Sequence, residues 1–180
     1  EQELELLGPP RVDLEPTRQI RIRPRKLRSH TRHPIVLAHG FGGGFDPLLP
    51  QQLGVRYFRG IPDALRASGH EVHIAHVSPT ASIEARAKSL AKQIRGLDGR
   101  VNIIAHSMGG LDARYAIARF GLDEHVASLT TIGTPHHGTP LADVALVFGD
   151  FQRSRKLLRS IGVNVDGVYD LSTTSMGDFN

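Results

Sequence analysis

The stretch Val101-Asn102-Ile103-Ile104-Ala105-His106-Ser107-Met108-Gly109-Gly110 decides how this chain folds. Val101 to Ala105 is apolar except for Asn102, which is the length and composition of a buried strand. From Gly109 to Phe120 the spacing turns helical. A serine on so sharp a strand-to-helix turn is lifted above the sheet, provided the residues two places before and after it are small. Here they are Ala105 and Gly109. The helix that follows points its positive end at the serine and favours negative charge developing there. Ser107 therefore reads as a nucleophile, and the alternative is a buried serine in a tight turn.

Upstream, Ile35 to His39 is a short apolar run after Pro34 that gives way to a loop with Gly40, Gly42, Gly43 and Gly44, then Asp46 and Pro47. Acyl transfer through a serine makes a tetrahedral oxyanion, which needs two pre-aimed backbone N–H donors. The residue after the nucleophile supplies one, here Met108. The loop after an early strand supplies the other, here Phe41. Gly40 and Gly42 shape that loop, and Gly109 and Gly110 shape the turn.

The remaining elements alternate. The spacing predicts a helix over 61–68, a strand over 72–77, a helix over 82–95 with Ile83, Ala87, Leu90, Ala91 and Ile94 on one face, and a strand over 126–132. Strands alternating with helices imply a parallel sheet. Ala142 to Phe148 is apolar, and Phe151 to Ile161 mixes apolar residues with Arg153, Arg155, Lys156 and Arg159. Leu171 to Asn180 is rich in Ser and Thr and predicts no element.

Hydrophobic residues at 39% and charged residues at 22% describe an ordinary globular mixture. No apolar run approaches the ~20 residues of a membrane helix. The absence of cysteine removes disulfides, thiolate metal sites and a cysteine nucleophile. The chain opens on Glu1 rather than Met, which reads as a processed, trimmed or partial chain with any signal peptide absent or removed. The net charge is +4, and residues 1–32 hold eight basic against five acidic residues. Arg18 to Arg28 alternates with Ile20, Ile22 and Leu27, so residues 1–32 read as an arm with an edge strand. A nucleic-acid patch is disfavoured because the arm has no aromatic residue to stack on bases.

Histidines are numerous. His39 reads as a structural hydrogen-bonder and His106 as a side chain that packs or bonds the backbone. His136 and His137 read as cleft wall, since neither follows Ser107 late enough for the usual order of serine, acid, histidine. No metal-ligand spacing is present.

At this point the chain resembles a family. Pro34 to Gly43 is similar to the oxyanion loop of bacterial triacylglycerol lipases. Tyr57-Phe58-Arg59-Gly60-Ile61-Pro62 with Leu65, Gly69, Val72 and Val77 is similar to the following segment of the foldase-dependent lipases. Val101 to Tyr115 matches their serine turn, with Ala105 in the form seen in other lipase subgroups. Leu129 to Gly138 with Leu141-Ala142-Asp143 resembles their Gly-x-Pro-His-x-Gly stretch. The resemblance covers residues 33–180 and implies an α/β-hydrolase fold, a mostly parallel sheet with flanking helices, truncated after the lid region. It also implies hydrolysis of lipid esters through an acyl-enzyme on Ser107, with Phe41 and Met108 as oxyanion donors. A lid-like region falls at about 139–170. Its basic amphipathic stretch, residues 148–161, would meet a membrane or lipid-droplet surface.

In the family the catalytic acid and histidine follow two further strands, so the resemblance implies that this chain stops before both. Asp150, Asp166, Asp170 and Asp178 are accordingly not assigned the acid role. Structural calcium, a folding chaperone and a secreted or extracytoplasmic setting are implied for the complete protein, with no cofactor in this chain. Two alternatives stand beside this expectation. One is the same fold acting on another acyl compound, such as a polyester or thioester. The other is a non-catalytic lipid-binding or interaction module without a complete triad.

Overall fold

The computed structural model describes residues 31–43, 57–148 and 166–180. The expected edge strand within 18–28, loop residues Gly44, Asp46 and Pro47, Asp150 and nearly all of the amphipathic stretch 148–161 lie outside them.

Among the described residues four strands form the sheet: β1 (Ile35–Ala38), β2 (Val72–Ile74), β3 (Val101–His106) and β4 (Val126–Ile132). Their order is β2-β1-β3-β4 and every pairing is parallel. The helices are α1 (Ile61–Ala67), α2 (Ile83–Arg95), α3 (Met108–Phe120), α4 (Pro140–Phe148), α5 (Asp166–Asp170) and α6 (Thr173–Phe179).

The alternation of β1 side chains divides the core. Val36 and Ala38 join Val101, Ile103 and Ala105 on the face covered by α2 and α3, through Ala87, Leu90, Ile94, Ala113 and Ala116. Ile35 and Leu37 face the other way, with Val72, Phe58, Leu65 and Ile104. A strand buried on both faces is continuously apolar, and all four residues of β1 are buried. The chain steps from β1 outward to β2, then crosses to the far side of β1 to make β3. In an open parallel sheet such a reversal leaves a crevice at the carboxyl ends of the two central strands. Ala38 and Ala105 are paired there, so the two loops singled out by the sequence, 39–43 and the Ser107 turn, emerge side by side.

Three local differences from the sequence reading have physical causes. The second strand ends at Ile74 rather than Val77. Beyond it the Gln93 side chain takes over the backbone of His76, its Oε1 accepting the N–H at 2.9 Å and its Nε2 donating to the carbonyl at 2.8 Å. Arg86 lies on the apolar face of α2 and is wholly buried. The Ser- and Thr-rich end forms α6, which intrinsic propensity alone disfavours. Ser172 caps it by accepting the Ser175 N–H, and Met176 and Phe179 pack with Ile83, Met108 and Leu111.

Candidate active site

The Ser107 turn is strained. Ser107 has φ 54° and ψ −131°, one of two non-glycine residues with positive φ among those described. Such a conformation persists only where surroundings over-determine it. The turn is packed hard against β1: a methyl group added at Gly109 would lie 2.6 Å from the Ala38 carbonyl oxygen, and one at Gly40 2.7 Å from the Ser107 Cβ. Both glycines are thus required by close approach.

Loop 39–43 is held by two outside partners and by one bond of its own. The Gly40 N–H donates to the Tyr57 hydroxyl at 2.8 Å, the Gly42 N–H to the Pro79 carbonyl at 2.7 Å and the Gly43 N–H to the Gly40 carbonyl at 3.3 Å. The N–H groups of Phe41 and Met108 have no acceptor among the described residues. Beneath the loop lies a buried ion pair. Arg86 donates from Nε to Asp112 Oδ2 at 2.9 Å, with Nη2 2.8 Å from the same oxygen. It also donates to the carbonyls of Ser78 at 2.5 Å, His39 at 2.7 Å and Gly40. One guanidinium therefore ties the loop after β1, the loop after β2 and the helix after Ser107 together. Burial pushes the Asp112 carboxyl up to about 7, against the lowering pull of Arg86. Its Oδ1 is buried with no hydrogen-bond partner among the described residues.

Ser107 opens onto a cavity of about 400 Å³. Phe41, Gly133 and Pro135 line it. So do Leu141 and Ala142 of α4, Val168 of α5 and Leu171. Phe41 is 37% exposed and Leu141 76%, so the mouth is apolar and open. A larger hollow of about 460 Å³ beside β2, lined by Val72, Ile74, His73 and His76, is remote from this chemistry.

The candidate residues of the serine turn and glycine loop thus converge. The histidines do not. His39 Nδ1 sits 2.9 Å from the Gly40 carbonyl, the structural role expected of it. His106 is exposed and bonded to the Tyr57 hydroxyl at 2.6 Å, rather than to backbone. His136 is not cavity wall: Gly133 and Pro135 line the cavity, whereas His136 bonds Arg114 at 3.1 Å and Thr131 at 3.3 Å. Desolvation, then the Arg114 charge, hold its pKa below the ordinary histidine value. Among the described residues none of these rings is hydrogen-bonded to Ser107 Oγ. Nor are any three His, Asp or Glu side chains among them grouped to hold a metal ion. Sequence reasoning missed Tyr57, Arg86, Asp112 and Thr134. The signal available for the ion pair was an arginine and an aspartate each on an apolar helix face.

The family model described as alpha/beta hydrolase fold matches residues 89–172. A triacylglycerol lipase of Vibrio cholerae serotype O1 is 43% identical over 122 residues, covering 64% of this chain and 36% of that protein. One from Pseudomonas fragi is 41% identical over 119 residues, covering 63% and 38%. The crystal structure of a Bacillus licheniformis lipase in its mature form superposes with TM-score 0.62 at 25% identity, over 82% of this chain and 57% of that one. A metagenomic carboxyl esterase has TM-score 0.67 at 16% identity, over 94% and 51%, a likeness of fold. The chain has the α/β-hydrolase fold. Its sequence similarity runs to the bacterial triacylglycerol lipases, and it spans little more than a third of the length of the two named here.

Proposed function

We propose that this chain carries the nucleophile and oxyanion hole of a hydrolase that cleaves carboxylic esters of lipids. The observation that carries the reading is Ser107 itself, in a strained turn at the floor of an apolar cavity and beside two uncommitted N–H groups. In this mechanism Ser107 Oγ attacks the ester carbonyl while a base takes its proton. The carbonyl oxygen, now negative, accepts from the N–H groups of Phe41 and Met108, each such donor being worth roughly 3–4 kcal/mol. Collapse expels the alcohol and leaves an acyl group on Ser107, and water then releases the acid. The apolar cavity walls suit an acyl chain, and the relatives named above are triacylglycerol lipases.

The base and its orienting carboxylate belong to the same proposal and are assigned outside the described residues. In support, the described histidines at the site are committed to other partners. Intact mass after incubation with a fluorophosphonate is the test. The full-length gene product should gain one adduct, lost on Ser107→Ala, whereas the 180-residue chain alone should gain none. An unlabelled full-length protein would sink the reading. A labelled 180-residue chain would instead mean that the base lies within it.

A further inference from the structure

The Ser107 turn has a second set of restraints, from the last residue of β4, from α3 and from the segment after β4. The Ser107 N–H donates to the Ile132 carbonyl at 2.9 Å, continuing the β3–β4 ladder one step past its last pair, His106 and Ile132. The Ser107 carbonyl accepts the Gly110 N–H at 3.0 Å and the Thr134 hydroxyl at 2.8 Å. Thr134 also fills the notch beside Gly110, where any added methyl would overlap its side chain.

That carbonyl and the Met108 N–H are two ends of one peptide unit. The unit is planar and trans, so the N–H points opposite to the C=O. Fixing the direction of the Ser107 oxygen fixes the direction of the Met108 hydrogen. Gly110 alone cannot do this, because the first turn of a helix frays and its donors are shared. The Thr134 hydroxyl approaches the same oxygen from a different element. Donation to a carbonyl also polarises the peptide and strengthens its N–H as a donor.

We propose that Thr134 is a positioning residue: its hydroxyl sets the tilt of the Ser107–Met108 peptide and so aims the Met108 N–H at the substrate oxyanion. The inference rests on the esterase reading above. An N–H aimed where charge develops acts in the transition state and not on the bound substrate. Loss of the hydroxyl therefore lowers kcat and leaves KM alone.

The experiment compares Thr134→Val, which keeps the shape, with Thr134→Ser, which keeps the hydroxyl, in the full-length gene product. With p-nitrophenyl esters, kcat of Thr134→Val should fall on the order of ten-fold, part of the 10²–10³ lost when a donor is removed outright. KM and Tm should hold, and Thr134→Ser should stay near wild type. Equal kcat in Thr134→Val and wild type overturns the inference, and so does an equal loss in both variants. Should Thr134→Val fail to fold, Thr134→Cys, a weak donor of similar size, replaces it under the same criteria. If wild type hydrolyses no ester, the proposed function fails by itself, and crystal structures decide on Thr134. A Ser107 ψ shifted in Thr134→Val beyond the roughly 20° of ordinary scatter supports the restraint, and an unchanged ψ refutes it.

Discussion

Below Ser107, loop 39–43 rests on a wholly buried arginine that bonds one carboxylate and three carbonyl groups. Above it, the cavity wall is made by two segments that meet at an exposed clasp. Asp143 at the start of α4 accepts the Thr173 N–H on Oδ1 and its hydroxyl on Oδ2, both at 2.9 Å, and the Thr139 N–H donates to the Leu171 carbonyl. Floor and wall thus face the same cavity but are fixed with different stringency. The floor carries the geometry that acyl transfer needs, where a fraction of an ångström matters. The wall carries contacts that select an acyl group, and these tolerate change.

If that contrast holds, the largest effect should come from the floor. Arg86→Met removes one partner of a buried pair and leaves the Asp112 carboxyl and three carbonyls without this donor. A loss of about 3–5 kcal/mol in unfolding free energy is expected. Urea denaturation measures it, and a loss below about 1 kcal/mol would mean that the pair is dispensable. In a protein that does fold, phosphonate labelling of Ser107 should slow as well, because the loop carrying Phe41 has lost its anchor.

Asp112 sharpens the same point through pH. Folded, its carboxyl keeps a proton to about pH 7, whereas an ordinary carboxyl releases it near 3.8. The folded state therefore binds more protons between those values. Asp112 contributes stability that is complete below about 3.8 and lost as pH rises through about 7. His136 works in the opposite sense: its lowered pKa gives stability present above the ordinary value of 6.5 and lost as pH falls. The readout is thus the difference between two Tm profiles over this range. Asp112→Asn should be flatter than wild type on the rising-pH limb, and parallel profiles would contradict the burial argument.

These two residues also mark where the sequence stopped being legible. The sheet could be read because β1 and β3 are continuous apolar runs, and the Ser107 turn because Ala105 and Gly109 flank a serine between strand and helix. Those signals are local. Arg86 and Asp112 are 26 residues apart, and neither reveals a partner until α2 and α3 are packed together. Thr134 went unread because nothing beside it in the sequence marks a hydroxyl that reaches back to the Ser107 carbonyl, 27 residues away. The helix α6 was invisible for a related reason. Its stability comes from the Ser172 cap and from Met176 packing on Met108, and not from its own composition.

The clasp should give a smaller effect, and of another kind. Asp143→Ala removes both bonds to Thr173, at an exposed site where such bonds are worth about 1 kcal/mol each. Stability should fall by about 1–2 kcal/mol. The clasp joins α4 to the segment carrying Leu171, so the acyl-length profile of ester hydrolysis should also shift. An unchanged profile would separate the clasp from the cavity.

Leu141→Ser should give the smallest change in stability and so isolates the wall. Leu141 is 76% exposed, so folding buries little of it and its loss should alter unfolding free energy by less than about 0.5 kcal/mol. It nonetheless lines the cavity together with Phe41. A bound acyl chain would cover it, and an apolar side chain buried only in the complex contributes about 1–3 kcal/mol to discrimination. The substitution should therefore lower kcat/KM by roughly ten-fold for long-chain esters and leave acetate esters near wild type, since a two-carbon acyl group does not reach the mouth. Equal losses for both would mean that Leu141 acts on the floor after all, and the division between a fixed floor and an adjustable wall would fail there.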